Sequence, residues 1–174
     1  MAFARLFGHP PEKIAAAAVH RAAVDQARSV PFYALHGVPD TLDGRFEMII
    51  LHAFLVLHRL RSLPESQRFS QTLYDVLFAD MDRALREMGT GDLSVGKQVK
   101  RMAEGLAGRT RAYQDGLAGT GDLTEALRRN LYGTVSPRDE DLAFMAAYMV
   151  RQVERLAVQD AATIIGGTVT FSPL

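Results

Sequence analysis

The octapeptide GDLSVGKQ, residues 91–98, decides between two folds. Its first seven letters fit G-x-x-x-x-G-K, the opening of a phosphate-binding P-loop, whose next residue is a Ser or Thr that holds Mg²⁺. Here that residue is Gln98. A P-loop also follows a buried strand in a chain of alternating strands and helices. The preceding segment, DMDRALREM (80–88), is instead a charged amphipathic helix. The nucleotide reading fails on both counts. The glycines then predict a corner between two helices. Gly89 is the left-handed C-cap of the first, Gly91 completes the turn, Asp92 or Ser94 caps the second helix, and Gly96 permits close packing.

Helical signals dominate outward from this corner. Ser66 to Met88 carries an apolar stripe of Leu73, Val76, Leu77, Met81, Leu85 and Met88. Asp82–Arg86 and Arg83–Glu87 are opposite charges at i,i+4 on its wet side. Upstream, the apolar positions between Arg45 and Arg61 surround nearly the whole helix, which predicts a central helix buried on most sides. Pro10-Pro11 opens an alanine-rich helix that ends near Ser29, before Pro31. Pro31 to Gly44 reads as a connector with one helical turn before Gly37. Downstream, the helix after the corner runs to about Ala118, with Gly105 or Gly108 as candidate bends. Asp122 caps a short helix to Tyr132. Ser136-Pro137-Arg138-Asp139 reads as the start of a last helix to about Ala162, with Ser136 as N-cap. Gly166-Gly167 and TVTFSPL form an extended tail. The expectation is one all-α domain over residues 1–174, of about six or seven helices.

Twenty acidic and twenty basic residues balance, so no overall field draws the chain to nucleic acid or anionic lipid. The absence of Cys removes disulfides, thiolate metal sites and thiol catalysis. The start, MAFARLFGHPPEK, is not a secretory signal. MIILHAFLVLHRL (48–60) is shorter than the roughly 20 residues a bilayer span needs. The expected location is cytoplasmic, with peripheral contact at the inner membrane.

No catalytic constellation emerges, and no cofactor is expected. Asp75, Asp80 and Asp82 suggest a metal or carboxylate pair, but Asp80 and Asp82 point to different sides of a helix, and neither helix offers the Glu-x-x-His pattern of bundle metal sites. None of the five histidines, at 9, 20, 36, 52 and 58, pairs at i,i+3 or i,i+4. His52 reads as a hydrogen-bonded core residue, and His58 falls near a helix end that favours a cation. Lys97, Lys100, Arg101 and Arg111 share a sector of one helix, and Arg109 is grouped with them as a candidate surface for a macromolecular partner. No aromatics interleave with these cations, which argues against sequence-specific RNA reading.

Longer stretches add a resemblance. PFYALHGVPDTLDGRFEMIILHAFLVLHRLR and SQTLYDVLFADMDRALREMGTGDLSVGKQVKRMAEGLAGRTRAY resemble the ubiquinol–cytochrome c chaperone family. The matched elements are FY-x3-G-VPDTLDGRFE-x4-H, the DMD-x2-LREMG-x-GDL-x-VGK-x-VK-x-M run, GR-x3-Y and LRRNLYG, over roughly residues 31 to 135. Asp40, Gly44, Arg45, Asp80, Asp82, Arg86, Gly89, Gly91, Asp92 and Gly96 are the motif positions taken to shape the structure. The resemblance implies an all-α, non-enzymatic protein that holds newly made cytochrome b and assists bc1 complex biogenesis. It also implies a small partner protein and a place near the ribosome, and the basic sector around Lys97 is a candidate face for ribosomal RNA or a membrane surface. Met81, Met88, Met102, Met145 and Met149 could give such a chaperone an adaptable apolar surface. A second reading is a peripheral lipid- or isoprenoid-binding helical protein, suggested by the very apolar central helix.

Overall fold

The computed structural model describes residues 11–87, 89 and 91–174, with the side chains of Asp92, Leu93, Gln98 and Arg101 excepted. The MAFARLF start, Met88 of the apolar stripe, and the Asp92 and Arg101 side chains named above lie outside the described residues. Alanine and a first-turn proline start α1, Pro11–Ala27. Pro31 sits in the first turn of the short α2, Val30–Ala34, and Gly37, at φ +62°, turns the chain into the connector. Then come α3, Leu42–Leu60, a 3₁₀ turn at Pro64–Ser66, and α4, Gln67–Glu87. The rest is α5, Asp92–Leu117, α6, Leu123–Asn130, α7, Asp139–Ala157, and α8, Ala161–Ile165. The described residues contain no strand.

The all-round apolar pattern puts α3 at the centre. Met48, Ile50, Leu51, Ala53, Phe54, Leu55, Val56 and Leu60 are all buried, and each of the larger side chains contributes roughly 1.5–3 kcal/mol on leaving water. It packs against α1, α4, α5 and α7. Around it α1 meets α4, α4 meets α5, α5 meets α6, and α6 meets α7. Between α7 and α1 runs the extended segment 168–174, whose Ser172 carbonyl accepts from Gln152 of α7 and Gln26 of α1. This segment lies in the seam between α7 and α1, which also meet directly where Gln26 donates to Tyr148 Oη.

Several local expectations change. Gly89 does end α4 in the left-handed region, at φ +81°. The N-cap of α5, however, is Gly91 with no side-chain cap; Ser94 is already inside the helix, and its N–H donates to the Gly91 carbonyl. A Cβ added at Gly96 would meet nothing within 4 Å, so that glycine is not there for close packing. α5 runs unbroken through Gly105 and Gly108. α7 begins two residues later than Ser136-Pro137 suggested. The buried Asp141 carboxylate, gripped by the Arg138 guanidinium, accepts from the Arg138 N–H at 3.3 Å, and this makes Arg138 the N-cap. α7 also stops at Ala157. There Arg59 of α3 donates to the carbonyls of Leu156 and Gln159 at 2.9 and 3.0 Å, and Asp160 caps α8 through the Thr163 N–H.

Among the described residues the candidate methionines form no exposed surface. Met81, Met145 and Met149 are buried in the core and Met102 is half-buried. Their helical spacing records packing.

Candidate functional site

The four matched elements of the resemblance all contribute to the surroundings of the start of α3. Its N-cap is Thr41, whose side chain accepts from the Gly44 N–H at 3.2 Å. Arg45 donates to Asp40 at 2.6 Å across the same turn. Gly44 lies against Pro39: a Cβ there would stand 2.0 Å from the Pro39 carbonyl oxygen. PDTLDGR is therefore a compact cap that sets the direction of α3.

One residue beyond Phe46, Glu47 turns into the molecule and is 6% exposed. Arg109 of α5 reaches it with two donors, Nε to Oε2 at 2.8 Å and Nη2 to Oε1 at 2.5 Å. Such two-pronged pairs combine charge with fixed geometry. Gly105, one turn earlier on α5, makes room, since a Cβ there would meet Arg109 Nη1 at 2.2 Å. Burial nevertheless raises the Glu47 carboxyl above its ordinary value, against the lowering effect of Arg109. The pair floors a groove of about 650 Å³ whose lining includes Leu42, Phe46, Leu85 and Met102, with Arg129 from α6 beside them.

Most of the remaining motif letters also serve the fold. Phe32 packs edge-on to His52 and Tyr148. Tyr132 donates to the His36 carbonyl at 2.7 Å, and Tyr113 is buried against Phe54. Asp80 takes His20 of α1 at 3.1 Å as well as Arg83, which ties α1 to α4. Asp82 holds Arg86 at 2.7 Å, and Asp75 accepts from Gln71 at 3.0 Å. The three acids that suggested a metal thus each have a partner of their own. Among the described residues no three His, Asp or Glu side chains are grouped to hold a metal.

His52 is fully buried, as its setting in α3 predicts. Its Nδ1 lies 2.8 Å from the Met48 carbonyl, which can only accept, so Nδ1 carries the proton. Nε2 then accepts from Tyr148 Oη at 2.7 Å, and Tyr148 in turn accepts from Gln26 at 3.0 Å. Burial holds the His52 pKa down at about 4, against the opposing effect of the Met48 hydrogen bond. His58 does not keep the charge its helix-end position favoured; burial, with Arg61 adding to it, lowers it to about 4 as well. Both rings are neutral in the fold, whereas an unfolded histidine charges near pH 6.5. Between those values the unfolded chain binds more protons, so stability falls as pH falls. His52 alone accounts for a loss on the order of 3 kcal/mol over that range. Urea unfolding from pH 7.5 to 4.5 is expected to show a steady decline, and a flat profile would contradict this assignment.

The basic sector separates into two parts. At roughly 100° per residue, Lys100 and Arg111 stand within about 60° of Lys97 round the helix, and Arg109 stands about 120° away. Lys97, Lys100 and Arg111 are exposed. Lys100 and Arg111 make only long contacts, to Glu104 at 3.9 Å and Asp115 at 3.8 Å, of a kind worth little in water. Arg109 faces the groove floor. The structure therefore draws it out of the surface with which it was grouped.

The chain is similar to known proteins over most of its length. The family model described as ubiquinol–cytochrome C chaperone matches residues 34–171, well past the last recognised motif. The ubiquinol–cytochrome c reductase complex assembly factor 1 of Xenopus laevis is 23% identical over 165 residues, covering 93% of this chain and 82% of that protein. The mitochondrial protein CBP3 of Saccharomyces cerevisiae is 31% identical over 107 residues, 59% of this chain and 32% of that longer protein. The crystal structure of the Cbp3 homolog from Brucella abortus superposes with a TM-score of 0.81 at 32% identity, covering 94% of this chain and 91% of that one. Among the described residues, no helix is long and apolar enough to cross a membrane.

Proposed function

The chain belongs to the ubiquinol–cytochrome C chaperone family, and from that premise we propose that it holds newly made cytochrome b and assists its assembly into the ubiquinol–cytochrome c reductase complex. The observation that carries this reading is the match over residues 34–171, in which the motif residues make the cap, the Glu47–Arg109 pair and the helix corners. The relatives are assembly factors, and this chain is read as acting by binding alone.

Two surfaces suit such a client. The groove beside Glu47–Arg109 offers Leu42, half exposed, with Phe46 and Met102 around a polar floor. The exposed sector of Lys97, Lys100 and Arg111 offers cations to an anionic surface, such as lipid headgroups where a membrane protein is inserted. A small partner protein and the ribosome fit the same reading.

Deleting the gene in its host is expected to lower cytochrome b and assembled reductase together; unchanged levels of both would end the proposal. Complementing the deletion with Lys97→Glu/Lys100→Glu/Arg111→Glu tests the basic sector. All three residues are exposed, so the variant should fold with a melting temperature close to that of the wild type. It is expected to restore well under half of the assembled complex. Full restoration would reduce the sector to a wet face.

A further inference from the structure

Segment 168–174 is held by the rest of the molecule as a separate extended peptide would be. The Thr170 N–H donates to Gln159 Oε1 at 2.9 Å, and Gln159 Nε2 donates back to the Thr170 carbonyl at 2.7 Å. Two residues on, the Ser172 N–H donates to Gln152 Oε1 at 2.8 Å, and Gln152 Nε2 donates to the Ser172 carbonyl at 3.0 Å. Gln26 of α1 adds a further donor to that carbonyl at 3.2 Å. Gln152 and Gln159 thus each present a donor and an acceptor to one residue, as the edge of a neighbouring β-strand does. Every one of these bonds goes to main chain, so the side chains at 170 and 172 play no part in them.

Side chains alternate in the same register. Thr168 and Thr170 are exposed, while Val169 and Phe171 turn inward and pack against two core clusters. The Phe171 ring stands edge-on to His52, 5.2 Å between centroids at 87°. Gln152 is completely buried, and both ends of its amide are used by Ser172. A buried amide whose hydrogen bonds all go to one stretch of main chain is a device for reading main chain, as in strand-addition grooves. The segment joins the helices through Gly167, at φ +101°, where an added Cβ would stand 3.0 Å from Ala15 Cα.

We propose that the groove between α1, α3 and α7 is a binding site for an extended apolar segment of another polypeptide, for which residues 168–174 are the resident stand-in. The occupant is a client chain with apolar side chains at alternate positions, of the kind an unassembled membrane protein presents. That identity rests on the proposed function; the groove itself does not. Exchange conserves the hydrogen bonds, because any incoming main chain carries the same N–H and C=O groups. Selection falls on the two inward pockets, where residues larger or better fitting than Val169 and Phe171 displace them. Tethering gives the resident an effective concentration of roughly millimolar, so the intact chain resists weak ligands and yields to strong ones.

The test uses a fluorescein-labelled peptide of sequence TVTFSPL and a chain carrying a protease site between Gly167 and Thr168, folded whole and then cut. Fluorescence anisotropy is expected to show the cut protein binding the peptide at least tenfold more tightly than the uncut one. Serines at the positions of Val169 and Phe171 should abolish binding, as should Gln152→Leu in the protein. In the uncut chain, Phe171→Ala should increase peptide uptake, whereas a purely structural strap would only lower the melting temperature. A cut protein that takes up no peptide, or takes the serine peptide equally well, overturns the proposal. A peptide from an apolar segment of cytochrome b is then added as competitor. If it displaces the label while the gene deletion leaves the reductase intact, the groove stands and the assembly role falls. If it fails to compete where TVTFSPL binds, the client identity falls.

Discussion

Arg109→Leu is expected to lower the unfolding free energy by about 3 kcal/mol at pH 7, the lower end of what removing one partner of a buried ion pair costs. The lower end applies because the Arg109 side chain is 24% exposed, whereas its partner Glu47 is at 8%. The asymmetry sets an order. Without Arg109, the Glu47 carboxylate stays buried with its charge uncompensated. Without Glu47, the guanidinium can swing toward the groove and water. Arg109→Leu should therefore cost more than Glu47→Leu, and the double replacement less than Arg109→Leu alone. Acid should relieve the single variant. Burial already raises the Glu47 carboxyl, and with Arg109 gone nothing opposes that rise. The folded state then binds a proton the unfolded state lacks, so the deficit against wild type shrinks as pH falls through the raised pKa. Urea titrations of the four proteins at pH 7 and pH 5 measure this. A deficit that does not depend on pH would mean that Glu47 is not buried as described.

Gly44→Ala should be the second large effect, and its sign is the informative part. Inside a helix, replacing glycine by alanine ordinarily stabilises by up to about 1 kcal/mol. Here the added Cβ would stand 2.0 Å from the Pro39 carbonyl oxygen and 3.0 Å from the Pro39 carbonyl carbon, both backbone atoms. Either the PDT cap or the first turn of α3 must move, at a cost of about 2–3 kcal/mol, typical of overpacking. Because Glu47 follows less than one turn later, that shift also misaligns its two bonds to Arg109. Gly96→Ala on α5 is the matched control, since its Cβ would meet nothing; it should be neutral or slightly stabilising. Thermal melts of both variants decide this, and a stabilised Gly44→Ala protein would refute the close approach.

These two residues show what could be read from the letters and what could not. The burial of α3 was legible because a helix with apolar residues on every side has only one place to go. Gly89 was legible because helix ends have their own chemistry, and the chain supplied the expected left-handed residue. The role of Arg109 was not legible. Its partner lies 62 residues away, and its offset of about 120° round the helix from Lys97 does not by itself say what it meets. Ser136-Pro137 misled for a similar reason: a capping signature is local, and Asp141, held by Arg138, outcompeted it from inside the first turn. The glutamine clamp on segment 168–174 left no signal at all. Gln26, Gln152 and Gln159 are unremarkable letters until the fold brings them to one strand.

The chain has five tyrosines and no tryptophan, so its ultraviolet emission comes from tyrosine alone. Tyr148 is the phenol that donates to His52 Nε2 and accepts from Gln26, and Gln26 also holds the Ser172 carbonyl. A phenol bonded to an imidazole acceptor is quenched in its excited state. Anything that pulls segment 168–174 away frees one arm of Gln26 and removes Phe171 from the face of His52, and so alters that quenching. The molecule therefore carries an unlabelled optical readout of its own seam, and Tyr148→Phe is the variant that would silence it.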